Sequence, residues 1–241
     1  MHGSRGWLIR PRVTIAAAIV AAATGAGGTA LALPAASSSH VVSLPVAGRT
    51  QATLNVTSGT PVLDISVARL PGTLLRVSTP SGAAVRPVLS GSRPILLSLA
   101  GDGGGRGQQD AVTVVLNAAV VWSLDLAGGT QRTDVDLRGG KLGVVAVTAG
   151  SDILDVALPR PAGTLSFLFA GGASQFRLSL PGGVPARVIA GAGAGYLTVD
   201  GQHLTGVAGG TVLATPGWAT ARSRFDIDAT AGVARLTVIR W

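Results

Sequence analysis

The amino-acid sequence predicts an all-β protein, a single-stack β-solenoid whose coils of about 21 residues each contain two short strands. Glycine and leucine recur every 21 or 22 residues, at Gly129, Gly150, Gly172 and Gly193 and at Leu116, Leu137, Leu158 and Leu180. A fixed period of this size indicates a repeat array. Apolar residues occupy alternate positions around both columns, as they do in strands with one buried face. Glycine and proline turns separate the strands.

Equal spacing in both strands of each period predicts which side chains stack. Val135 should lie over Val114, and Phe169 over Val147, with about 4.8 Å between neighbouring strands. One coil cannot bury enough apolar surface to fold alone, so neighbouring coils must supply the missing pairing. An antiparallel meander or sandwich built from the same short strands remains the competing topology.

The first 33 residues form a segment with its own character. Arg5, Arg10 and Arg12 precede residues 13–33, which carry no charge. The pattern predicts an N-terminal hydrophobic helix, acting either as a signal peptide cleaved after Ala30-Leu31-Ala32 or as a membrane anchor. Either interpretation places the arginines in the cytoplasm and the C-terminal part outside the cytoplasmic membrane. The protein is then secreted if the segment is cleaved, or anchored to that membrane if it is not. Residues 34–40 are predicted to be a spacer.

Residues 41–241 are predicted to form one β-solenoid domain. Strand-like runs between 41 and 99 indicate irregular opening coils, and Gly101 to Gln109 an exposed loop. Residues 111–199 hold the regular coils, and residues 200–241 are expected to form a C-terminal cap. In that cap, residues 200–223 are loop-like with Trp218 as an anchor, and a closing hairpin from Phe225 to Val238 turns at Gly232.

Composition limits the possible partners. The chain has no cysteine and a net charge of +8, and all 11 acidic residues are aspartate. Basic charge can attract anionic cell-wall polymers or lipid headgroups. The arginines are scattered without interleaved aromatic residues, which argues against a nucleic-acid partner. The partners we expect are an envelope protein or an anionic cell-wall polymer, and the membrane if the N-terminal segment is uncleaved.

The best constellation of reactive groups is an outward column of Asp134, Asp155 and Arg177, with Asp136 on the same face and Asp152 nearby. Stacked acids on parallel β-solenoids can cleave carbohydrates, and Asp134, Asp136 and Asp155 could surround a cation. An ordinary solvated ion pair between Asp155 and Arg177 explains the pattern equally well. The three histidines, His2, His40 and His203, are too dispersed for a zinc site. We therefore assign no catalytic, cofactor-binding or metal-binding residue and expect no cofactor.

Two segments carry a family resemblance: VVWSLDLAGGTQRTDVDLRGGKLGVVAVTAGSDILDVALPRPAGTLSFLFAGGASQFRLSLPGGVPARV and the later GWATARSRFDIDATAGVARLTV. Residues 111–240 resemble the bacterial putative-adhesin or toast-rack domain and the C-terminal domain of LiaF-type cell-wall-stress proteins. The resemblance implies a β-solenoid at the bacterial envelope, with roles in surface interaction or envelope-stress regulation and no catalytic residue. LiaF-type proteins carry several membrane helices, whereas this chain has one at most.

Three functions remain as hypotheses. The leading one is a non-enzymatic, extracytoplasmic β-solenoid that acts as an adhesin-like interaction module at the envelope surface. The second is a periplasmic sensor or regulator in the envelope-stress response, which would retain its anchor. The third is a carbohydrate-active solenoid enzyme that uses Asp134 and Asp155.

Overall fold

The computed structural model describes residues 40–101 and 110–241, and this part of the chain consists of β-strands and their connections. The predicted all-β class is confirmed for these residues. Segment 1–33, all of the spacer except His40, and nearly all of the loop from Gly101 to Gln109 lie outside the described residues. In chain order the described strands are β1 (Val41–Pro45), β2 (Gln51–Val56), β3 (Thr60–Ala68), β4 (Thr73–Ser78), β5 (Val85–Ser90), β6 (Ile95–Gly101), β7 (Ala111–Asn117), β8 (Val121–Leu126), β9 (Thr130–Asp136), β10 (Lys141–Val147), β11 (Ser151–Ala157), β12 (Thr164–Phe169), β13 (Ala173–Leu180), β14 (Ala186–Ala190), β15 (Ala194–Val199), β16 (Gln202–Val207), β17 (Thr211–Ala214), β18 (Arg224–Ala229) and β19 (Val233–Arg240).

The strands form two sheets. The order across sheet A is β1-β4-β7-β3-β9-β11-β13-β19-β15-β16, and across sheet B it is β17-β14-β18-β12-β10-β8-β2-β6-β5. From β7 to β15 in sheet A, and from β6 to β14 in sheet B, all neighbours are parallel. The outermost strands at each end are antiparallel. A sheet B strand and the sheet A strand that follows it make one coil, and the coils stack.

Alternating side chains explain why these segments are strands. In β8, Trp122, Leu124 and Leu126 are buried, and the residues between them are half-buried. Successive side chains of a strand point to opposite faces, so every second residue enters the space between the two sheets. The same alternation recurs through the stack and produces one continuous apolar core.

The register confirms that the central coils stack in parallel. Val156 pairs with Val135 in sheet A, and Phe169 pairs with Val147 in sheet B. These pairs come from strands that run in the same direction, which excludes the antiparallel meander for β8 to β13. All four side chains are buried.

The first coil, β2–β3, lies inside the stack rather than at its end. It is inserted between coils β6–β7 and β8–β9 in both sheets. The prediction that Val135 lies directly over Val114 is therefore wrong, because Ile65 pairs with both of them and separates them. Period alone could not reveal this insertion, because the inserted coil precedes the regular repeats in the chain.

The last coil, β18–β19, is inserted in the same way, between β12–β13 and β14–β15. The predicted closing hairpin from Phe225 to Val238 is wrong, because β18 belongs to sheet B and β19 to sheet A. The turn at Gly232 is a corner between the sheets, equivalent to the corner at Gly172, whose Cβ position faces the Gly232 carbonyl. The segment has the residue pattern of a coil, and it forms a coil in the stack.

Residues 200–223 contain strands, contrary to the predicted loop. β16 forms a hairpin with β15 through Asp200 and Gly201, which have φ angles of 48° and 84°. Two consecutive positive φ values, with glycine second, are typical of the tight turns that join antiparallel strands. β17 pairs with β14 in sheet B, so β16 and β17 are the outermost strands at one end of the stack.

Aromatic side chains fill the middle of the core. Phe176 lies between Phe167 and Phe169, with ring centroids 5.5 Å and 4.9 Å away. Trp122 is fully buried, and its indole N–H donates to the Asn117 carbonyl at 3.0 Å. Trp218, predicted as an anchor, is half-buried, and its indole N–H donates to the Phe225 carbonyl at 2.7 Å. The guanidinium carbons of Arg187 and Arg224 lie 4.0 and 4.7 Å from its ring centroid.

Two turn glycines are required by close contact between successive coils. A Cβ on Gly171 would collide with the Ala149 carbonyl, and one on Gly128 would collide with the Ser58 carbonyl. Because the colliding atoms are backbone, no side-chain rotation relieves the clash.

We expect Gly171→Ala to lower the free energy of unfolding by about 1–3 kcal/mol, the usual cost of overpacking a close contact. The control is Gly163→Ala, because a Cβ at Gly163 meets nothing within 4 Å. Urea denaturation followed by circular dichroism measures both. Equal stability of the two variants would contradict the close stacking of the turns.

Candidate functional site

The outer face of sheet A carries a column of aspartates. Asp64 pairs in register with Asp134, Asp134 with Asp155, and Asp155 with Arg177. The predicted column of Asp134, Asp155 and Arg177 is therefore confirmed, and the insertion of β3 adds Asp64 to it. Neighbouring strands are about 4.8 Å apart, so three carboxylates follow one another along the stack. They line a groove of about 440 Å³.

Arg132 neutralises much of this charge. It lies two positions before Asp134, on the same face of β9, and its Nε and Nη2 donate to Asp134 at 2.6 and 2.9 Å. Nη2 also donates to Asp155 at 3.1 Å, and the Nε of Arg177 is 3.9 Å from Asp155. Two of the three column carboxylates are therefore ion-paired within the protein.

Asp64 differs from its neighbours in the column. Burial raises the pKa of Asp64, and the negative charge of Asp134 raises it further, whereas Arg132 acts in the opposite direction. Burial disfavours the charged carboxylate, and a nearby like charge does the same. Asp64 consequently favours its protonated form more than an ordinary aspartate does.

The two other aspartates singled out from the sequence, Asp136 and Asp152, are not members of the column. Asp136 lines the same groove, but its carboxylate accepts hydrogen bonds from Arg138 at 2.9 and 2.6 Å. That side-chain hydrogen bonding lowers the pKa of Asp136. Asp152 is exposed near the start of β11, where it lines a different groove.

Sequence analysis missed Asp64, although a usable signal exists. Asp134 and Asp155 each follow a corner glycine by five residues, and Arg177 follows Gly172 by the same interval. Asp64 follows Gly59 by five residues as well, and Thr237 follows Gly232 by five. The glycine-plus-five spacing therefore identifies the column members in the two inserted coils.

A second groove, of about 750 Å³, follows the glycine corners of four successive coils. Small residues and short polar side chains line it, and Gln131, Asp152 and Ser174 are its exposed side chains. Beside it, the Thr130 hydroxyl donates to that of Ser151 at 2.9 Å. The surface is polar and shallow, and it carries little charge.

A third groove, of about 500 Å³, is basic, and sequence analysis did not identify it. Arg49 and Arg93 line it with the polar residues Thr50, Gln51, Thr53, Ser92 and Ser123. No carboxylate is among its lining residues, and within residues 40–101 and 110–241 neither arginine forms an ion pair. The two arginines are 44 positions apart in sequence, and they line one groove because β2 pairs with β6.

The described residues contain no cluster of three histidine, cysteine or acidic side chains arranged to hold a metal ion. The ring Nδ1 of His203 is 3.0 Å from the Thr198 hydroxyl, and His2 lies outside the described residues. In the part of the chain that the structure describes, no helix has the length and apolarity needed to cross a membrane.

Comparison with solved structures identifies a similar fold. No protein-family model and no curated protein matches the sequence. A crystal structure of a putative cell adhesion protein from Clostridium sporogenes is 15% identical, with a TM-score of 0.60, over 84% of this chain and 99% of that chain. A putative adhesin from Bacteroides fragilis is 8% identical, with a TM-score of 0.29, over 84% of this chain and 97% of that chain. The fold is a β-rich repeat stack, consistent with a putative-adhesin toast-rack domain.

The opposite pKa shifts of Asp64 and Asp136 predict opposite effects of the matched asparagine variants. A raised folded-state pKa means that ionised Asp64 costs stability at neutral pH, so Asp64→Asn should stabilise the fold at pH 7. A lowered pKa means that ionised Asp136 contributes stability, so Asp136→Asn should destabilise it slightly.

Both differences should disappear as the pH falls, because each carboxyl is then protonated in the folded and unfolded states. For Asp64 the loss occurs between its raised folded pKa and the unfolded value of about 3.9. For Asp136 it occurs between about 3.9 and its lower folded pKa. Thermal unfolding from pH 7 to pH 3 measures both. Destabilisation by Asp64→Asn at pH 7 would contradict this account of the column.

Proposed function

We propose that this protein is a non-enzymatic, extracytoplasmic interaction module that binds an anionic polymer of the cell envelope. The observation that carries the proposal is the basic groove, which Arg49 and Arg93 line and whose lining residues include no carboxylate. The fold supports the same reading, since it is shared with a protein described as a putative cell adhesion protein. The uncharged N-terminal segment, preceded by arginines, supports a location outside the cytoplasm.

The groove has the chemistry of a site for phosphate or carboxylate groups. Guanidinium groups present several N–H donors in a planar fork that matches these anions, and they remain charged at any physiological pH. Hydroxyl and amide side chains from Thr50, Ser92 and Gln51 line the same groove and can add hydrogen bonds. An open groove of this kind suits repeated anionic units of a long polymer.

The aspartate column favours binding over catalysis. An acid–base mechanism on a sugar requires one carboxyl that donates a proton and a second, ionised carboxyl that is free to act on water or on carbon. The pKa of Asp64 is raised by burial, which is the direction that a proton donor needs. Its neighbour Asp134 accepts two hydrogen bonds from Arg132, which occupy both of its oxygens. Asp155 accepts a hydrogen bond from the same guanidinium at 3.1 Å, so the two other carboxylates of the column are both held in internal ion pairs.

The experiment uses the full chain in mild detergent and a fluorescent poly(glycerol phosphate) probe. Arg49→Gln/Arg93→Gln should weaken binding at least about tenfold, because two charge-assisted hydrogen-bonding contacts contribute at least about 1.4 kcal/mol together. Binding should also fall as salt is raised.

The control is Arg76→Gln/Arg177→Gln, which removes the same net charge from exposed positions of sheet A. It should change binding by much less. Equal weakening by the two double variants would show that net charge alone attracts the probe. No binding by the unsubstituted protein would refute the proposed ligand class.

A further inference from the structure

The two ends of the stack have different shapes. At the end formed by β16 and β17, each sheet extends by one antiparallel strand beyond coil β14–β15, so the two sheets finish level. At the other end, β4 and β1 extend sheet A beyond coil β6–β7, whereas β5 alone extends sheet B. That end is therefore staggered.

The edge strands also differ in how they are protected against further pairing. Natural edge strands commonly carry proline or charged residues that prevent another strand from adding to the sheet. At the staggered end, β1 contains Pro45, and β5 contains Arg86 and Pro87. At the level end, β16 reads QHLTGV and β17 reads TVLA, with no proline, lysine, arginine or acid.

The backbone of β16 is oriented to accept another strand. In the two-residue hairpin of β15 and β16, Val199 pairs with Gln202 and Leu197 with Leu204. Residues alternate between bonding their hairpin partner and facing away from it, so the N–H and C=O groups of His203 and Thr205 face the open edge. Leu204 points to the core side, opposite the fully buried Leu197, yet it is 39% exposed.

We propose that the level end pairs with the level end of a second copy of this chain. The two copies are related by a two-fold axis perpendicular to the sheets. β16 then pairs with β16 of the second copy and β17 with its β17, so that each sheet continues into the same sheet of the other copy. His203 then exchanges backbone hydrogen bonds with Thr205 of the other copy. The two Leu204 side chains face each other at the non-hydrogen-bonded position between these pairs, where side chains are closest. An uncharged edge brings no like charges together.

This symmetry explains why a second copy of the chain, and not an unrelated strand, covers the level end. An isologous contact uses the same surface on both copies and closes as a dimer. The proline-bearing strands at the staggered end cannot continue the addition, so the product is a dimer rather than a filament. A single strand of an unrelated partner could cover β16 or β17, but it would leave the other level edge open. A second copy covers both.

The dimer would give the proposed envelope module a way to join two surfaces. This adhesive role rests on the proposed function. The chain enters the stack through β1, at the staggered end, and the level end lies at the far end of sheet A, about 43 Å away across ten strands. Two copies joined at their level ends hold their entering chains at opposite extremes. Copies attached to two separate surfaces would then bridge those surfaces.

The first test exploits the absence of cysteine from the chain. Full-length Leu204→Cys, mildly oxidised in detergent, should form a disulfide-linked dimer at least about tenfold faster than Val41→Cys. Val41 is the matched control because it is 54% exposed on the edge strand of the staggered end. Equal cross-linking of the two variants would overturn the two-fold pairing.

The second test keeps the proposal falsifiable should Leu204→Cys disturb the end of the core. The unsubstituted protein should sediment at twice its monomer mass, and Thr205→Lys/Val212→Lys should raise the dissociation constant about tenfold or more, with an unchanged circular dichroism spectrum. Val212 is 55% exposed, so a lysine there leaves the core intact. Monomeric unsubstituted protein, or no effect of the lysines, would refute the pairing. Dimers that fail to cluster protein-coated beads would refute the adhesive role and leave the pairing standing.

Discussion

Backbone hydrogen bonding between coils is the constraint on which this structure depends. The two strands of a coil belong to different sheets, so neither can satisfy the other's N–H and C=O groups. Every coil must therefore pair with the coils above and below it, and the pairing continues around the corners. Thr130 N–H donates to the Gly150 carbonyl at 3.1 Å, and Ser151 N–H donates to the Gly172 carbonyl at 3.0 Å. Stability in such an array comes from contacts between neighbours.

Insertion of the first and last coils gives the molecule its distinctive sites. The pairing of β3 with β9 places Asp64 beside Asp134, and the pairing of β2 with β6 brings Arg49 and Arg93 into one groove. In a stack built in simple chain order, coil β6–β7 would separate β3 from β9 and β2 from β8. Asp64 would then not adjoin Asp134, and Ser123 would not line the groove of Arg49 and Arg93. The insertions also place segments from the interior of the chain at the ends of the stack, where β16 and β17 finish level and uncharged.

The sequence was sufficient to predict the regular coils, and it was insufficient to predict the order in which the coils stack. Even spacing of inward residues predicted the register of Val135 with Val156, because in-register stacking forces equal spacing. The spacing does not determine the order in which the coils stack, since every coil presents the same apolar columns. The pattern from Phe225 to Val238 consequently predicts a hairpin, although Gly232 and Thr237 keep the five-residue interval of the coils. The basic groove was not predicted because residues 41–99 lack the regular period, so their spacing does not show that β2 pairs with β6.

Hydrogen–deuterium exchange of backbone amides tests the inserted order most directly, because strands inside a stack open only when the stack unfolds. The account predicts that amides of β3 and β19 exchange as slowly as those of β11, although β3 and β19 lie near the two ends of the described chain. Amides of the edge strands β1 and β16 should exchange much faster. If β3 and β19 exchanged as fast as these edge strands, the terminal coils would lie outside the stack, and the account would be contradicted.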